Sequence, residues 1–115
     1  MELKIDLSYL ENLSAGDNNL IKELIEIFKE QVPQFIAEMK QSIENKDSNA
    51  LALVAHKAKS SVAIIGIIDI AEELKVLEKI ASNNERSKEY PDFLKRFETS
   101  SSEAIKLLNN IVAKL

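Results

Sequence analysis

Cysteine is absent from these 115 residues, and glycine and proline occur only twice each. Without thiols there is no disulfide, no thiolate nucleophile and no thiolate metal site, a composition that suits a reducing compartment. Glycine plus proline make up about 3.5% of the chain (4 of 115 residues), against roughly 12% on average. Turn residues are therefore too scarce for a many-stranded β fold, and a few long helices fit better. No long apolar run occurs: the longest, Val62 to Ile68, is far too short to cross a bilayer, and the N-terminus lacks the regions of a signal peptide. A soluble cytoplasmic protein is expected. An excess of basic charge is missing too, with 19 acidic against 15 basic side chains and a net charge of −4. A sequence-independent grip on nucleic acid is therefore not expected. Glycine-rich phosphate loops and the G-x-S-x-G turn are also lacking, which argues against ATP or NAD binding by those routes and against hydrolase activity.

What is present is 45% apolar and 30% charged residues, enough to bury a core at this size and to form one domain over residues 1–115. From Leu20 the apolar residues Leu24, Ile27, Phe28, Val32, Phe35, Ile36, Met39 and Ile43 recur at the three-and-four spacing of one helix face. Asp17 can cap this helix, and Pro33 should bend it near Glu30 or Gln31. A shorter helix is expected around Ser8 to Leu13. Asp47 or Ser48 can cap a third helix over about Asn49 to Ile65, and Gly66 ends it where a left-handed residue must turn the chain. Asp69 followed by Glu72 has the spacing of a capping box for a fourth helix, which carries Ile70, Leu74, Leu77 and Ile80 inward and ends at Asn83 and Asn84. The last helix begins between Ser87 and Pro91 and carries Phe93, Leu94, Phe97, Leu108, Ile111, Val112 and Leu115. Reading Val62 to Ile70 as a buried strand would leave a ladder without a partner. The expected fold is all-α: an up-down-up-down antiparallel four-helix bundle with a short extra N-terminal helix.

His56 is the only histidine. At about 100° per residue, Leu51, Val54, Ala58, Ser61, Val62 and Ile65 share one side of the third helix, and His56 points away from them. Its helical neighbours are Ala52 one turn before, Lys59 and Ser60 one turn after, and Ala63 two turns after. Three of those four are small, leaving the imidazole uncovered for a large partner, although an ordinary surface histidine fits the same geometry. A metal site is not expected, because no carboxylate stands one turn from His56. If the turn between the third and fourth helices is centred near residue 67, an antiparallel pair sets His56 beside Glu78. A carboxylate there can fix the ring tautomer; it can equally pair with Lys75 or Lys79 on its own helix. Gln31 is a fainter candidate, a polar group within the apolar stripe of the long helix.

The segment Ala55-His56-Lys57-Ala58-Lys59-Ser60-Ser61-Val62-Ala63-Ile64-Ile65-Gly66 resembles the signature of the histidine-containing phosphotransfer (HPt) domain family, AHxLKGSSxxLGA. His56, Lys59, Ser61 and Gly66 fall at matching offsets, Ile65 fills the apolar position before the glycine, and Ile70, Leu74, Leu77 and Glu78 continue the likeness. Ala58 stands where the pattern has leucine. Ser60 replaces a glycine, which adds a hydroxyl beside the reactive ring. The resemblance implies a phosphorelay carrier in two-component signalling, in which His56 takes a phosphoryl group from a receiver-domain aspartyl phosphate and passes it to another receiver. It implies support from Lys59, neutralising phosphoryl oxygens, and from Glu78, and docking of the receiver over Ala52, Ser60 and Ala63. The carrier would be a monomer holding no cofactor, with Mg2+ on the receiver. The alternatives are a helical adaptor that docks receivers without carrying phosphate, and a hydrolytic phosphatase, for which no positioned base is found.

Overall fold

The computed structural model describes residues 3–115. Five helices follow in order: α1 (Ser8–Ser14), α2 (Asn18–Glu44), α3 (Ser48–Ile65), α4 (Ile68–Ser82) and α5 (Tyr90–Ala113), the last entered through a 3-10 turn at Ser87–Glu89. Cross-helix ion pairs fix their directions. Glu38 of α2 meets Lys57 of α3, Lys59 of α3 meets Glu78 of α4, and Glu73 of α4 meets Arg96 of α5. Each pair straddles a short connection at similar remove, so α2 to α5 run alternately up and down, with α5 closing against α2. This is the expected four-helix bundle with its short N-terminal helix.

Local chemistry sets most of the boundaries. Asp17 accepts from the Asn19 and Leu20 amides and starts α2, and Asp47 accepts from the Ala50 amide and starts α3. α2 continues without a break through Pro33, and α5 passes through the Thr99 to Ser102 run, where Ser101 Oγ donates to the Phe97 carbonyl at 2.6 Å. The capping box does not form. α4 begins at Ile68 with no side-chain cap, so Asp69 lies inside its first turn, where a carboxylate still suits the helix dipole. The chain is turned instead by the backbone of Gly66 and Ile67, whose amides both return to the Val62 carbonyl.

The inner face of α2 also differs from the expected stripe. Ile21, Ile25, Phe28, Val32, Phe35 and Met39 are buried, whereas Ile27 is exposed and Leu24, Ile36 and Ile43 lie at the margins. Both stripes have helical spacing, and the packing of α2 between α3 and α5 selects the one that repeats every seven residues. Leu115 lies beyond the end of α5 and is exposed.

Gly66 has a second duty. Its φ of +89° is a left-handed conformation, and the N-terminal segment passes directly over its Cα. Asp6 donates its amide to the Gly66 carbonyl at 2.9 Å, and Ile5 forms an isolated antiparallel bridge with the fully buried Ile67. A Cβ on residue 66 would collide with the Asp6 carbonyl. Gly66→Ala should therefore destabilise the protein by about 2 kcal/mol or more, from left-handed strain plus displacement of this segment. Urea unfolding of the two proteins measures the difference, and a loss within 0.5 kcal/mol (roughly that of an ordinary surface change) contradicts this role.

Candidate phosphotransfer site

His56 stands on α3 with 58% of its side chain exposed, and its Nδ1 lies 3.1 Å from Glu78 Oε2 on α4. The other carboxylate oxygen of Glu78 accepts from Lys59 Nζ at 2.6 Å. One carboxylate thus ties together the ring and the ammonium group that stands one turn further along α3. The antiparallel register set at Gly66 brings residues 22 positions apart into contact. Glu78 and Lys59 are more sheltered than the ring, at 27% and 29% exposure. The hydrogen bond from Lys59 holds the Glu78 carboxyl below the usual glutamate range; the lysine charge and the His56 contact act in the same sense, and partial burial opposes them.

This geometry bears on each candidate residue. Glu78 pairs with neither Lys75 nor Lys79 but with His56 and Lys59. Lys59 is not a free cation beside the ring; it is fastened to Glu78. Ser60 is exposed and its hydroxyl donates back to the His56 carbonyl at 3.2 Å, which commits it to the helix backbone. Ala63 is exposed, Ser61 is half-buried, and Gly66 forms the turn below. Gln31 is half-buried on α2, seven residues before the Glu38 that reaches Lys57.

Ala52 requires a correction. It was expected on the open face, but it is only 9% exposed and belongs to the core. α3 packs against both α2 and α4, and α4 covers the side on which Ala52 stands, so the open strip is narrower than a one-sided helix would have. The exposed neighbour one turn before His56 is Leu53, at 65%. Helical neighbours stand three as well as four residues apart, and the position three before His56 is the signal in the sequence that points to Leu53.

The sequence matches the Hpt domain family over residues 23–114. The chain belongs to that family. No curated protein sequence matches it. Among solved structures, the Hpt fold seen here is similar to that of histidine-containing phosphotransfer protein B (HptB) from Pseudomonas aeruginosa PAO1, with a TM-score of 0.84 and 18% identity over 96% of each chain. Among the described residues no helix of this Hpt domain is long and apolar enough to cross a membrane, and no group of three or more His, Asp or Glu is placed to hold a metal ion.

Because the folded-state carboxyl of Glu78 titrates low, the stabilisation from its contacts is complete above the usual glutamate range and is lost as pH falls through the depressed value. In Lys59→Met the largest cause of that depression is removed. The Glu78 midpoint, followed by carbon-detected NMR, should then move up toward the ordinary range; an unmoved midpoint contradicts the coupling.

Proposed function

We propose that this protein is a phosphorelay carrier that takes a phosphoryl group on His56 from the aspartyl phosphate of one receiver domain and delivers it to the aspartate of another. The observation that carries this reading is the 3.1 Å contact of an exposed imidazole, through Nδ1, with an ionised carboxylate. Family membership supplies the reaction class.

The chemistry follows from that contact. With Nδ1–H donated to Glu78, the lone pair of the neutral imidazole resides on Nε2, on the far edge of the ring. Nε2 attacks phosphorus in line, the Asp–O–P bond breaks, and its electron pair returns to the receiver's aspartate as a carboxylate. The phosphorylated ring keeps its Nδ1 proton and gains a positive charge, which the Glu78 carboxylate offsets. Passing the group on reverses these movements, so the carrier requires no proton transfer of its own. Lys59 holds Glu78 ionised and in place. Mg2+, when required, belongs to the receiver's acidic pocket. The proposed working state is a cytoplasmic monomer that binds no nucleic acid.

Incubation with a phosphorylated receiver tests the proposal. Acid-labile label should appear on the wild type and not on His56→Gln. Binding without label would make the protein an adaptor, and receiver-dependent release of free phosphate without a labelled intermediate would make it a phosphatase. Glu78→Ala should slow transfer about ten- to hundredfold, the kinetic equivalent of one hydrogen bond to a charged group, without abolishing it.

A further inference from the structure

The two nitrogens of an imidazole point in diverging directions. Glu78 holds Nδ1 from the α4 side, so Nε2 faces away from α4, toward the strip of α3 that neither neighbouring helix covers. Side chains on a helix also lean toward its N-terminus, over the preceding turn. The exposed side chain on that turn is Leu53, three residues before His56 and rotated about 60° from it on the side away from α4. After His56 the strip falls away to the small side chains of Ser60 and Ala63 and rises again at the partly exposed Ile64, about 16 Å from Leu53. On the α2 side it is bounded by the Lys57–Glu38 ion pair.

We propose that Leu53 is the specificity-determining contact of this carrier: it docks against an apolar residue on the rim of the receiver's acidic pocket and selects the receivers that can reach His56. The proposal rests on the carrier reading above. Its physical basis is continuity with the reacting nitrogen. Any domain that brings an aspartate into line with Nε2 must also cover the leucine beside it, and a receiver that set a charged or polar group directly on the Leu53 methyl groups would desolvate it there without a partner. Single exposed apolar residues are ordinary on protein surfaces; this one is set apart by its position next to the atom that a partner has to reach. The adjacent Ser60 and Ala63 leave room for the rest of the docking surface.

The test uses the full chain, a panel of phosphorylated receiver domains from the same genome, and phosphoramidate as a small donor that needs no docking. Leu53→Ala should raise the KM for the preferred receiver about tenfold, equivalent to 1.4 kcal/mol, with kcat within about twofold, the pattern of lost uniform binding. Leu53→Met should restore the KM, and Leu53→Lys should shift the order of preference within the panel. Labelling of His56 by phosphoramidate and the thermal midpoint should stay at wild-type values in all three. An unchanged KM for every receiver overturns the proposal, as does a parallel loss of kcat and of phosphoramidate labelling, which would place Leu53 in the fold or the chemistry. Failure of the wild type to accept label from any receiver defeats the carrier reading itself, and is distinct from either result.

Discussion

The left-handed turn at Gly66 determines the register of the α3–α4 hairpin, and the rest of the site depends on that register. A slip of one residue would rotate Glu78 by about 100° around α4 and take its carboxylate away from His56. The turn is secured from both sides. The Val62 carbonyl accepts from the amides of Gly66 and Ile67, while the N-terminal segment lies over the glycine and bridges to Ile67. The turn and the N-terminal segment over it therefore hold His56 and Glu78 in register.

The surroundings of His56 are divided between its two neighbouring sides. The α4 side supplies a carboxylate for one nitrogen, and more than half of the side chain lies open to solvent. Phosphoryl transfer asks for in-line access and charge compensation rather than acid–base chemistry, and both are present: 58% exposure for the ring, and an ionised glutamate against its back edge. Lys59 contributes through that glutamate. A lysine side chain can reach several places, and tertiary contact selected the carboxylate over a free position beside the ring.

Much of this was legible beforehand because helices have a fixed period. The caps at Asp17 and Asp47, the stop at Gly66 and the pairing of residue 56 with residue 78 are consequences of short-range geometry and of one tight turn. Two of the errors share a cause, that a helix face is buried by whatever packs on it. Ile27 and Ala52 were placed by periodicity on faces that the neighbouring helices respectively left open and covered. The capping box at Asp69 was a valid local signal that the backbone turn at Gly66 and Ile67 made unnecessary.

The amino-acid sequence alone determined the helical class, the order and approximate ends of the helices, and a lone histidine on a motif typical of phosphotransfer domains, because composition, capping and periodicity act over a few residues. Only the tertiary structure decided that Lys59 serves Glu78, that Ala52 belongs to the core and that Leu53 is left uncovered. Those outcomes depend on which of several reachable partners a side chain meets when α2 and α4 close on α3, and that choice is made by packing between segments distant in the chain.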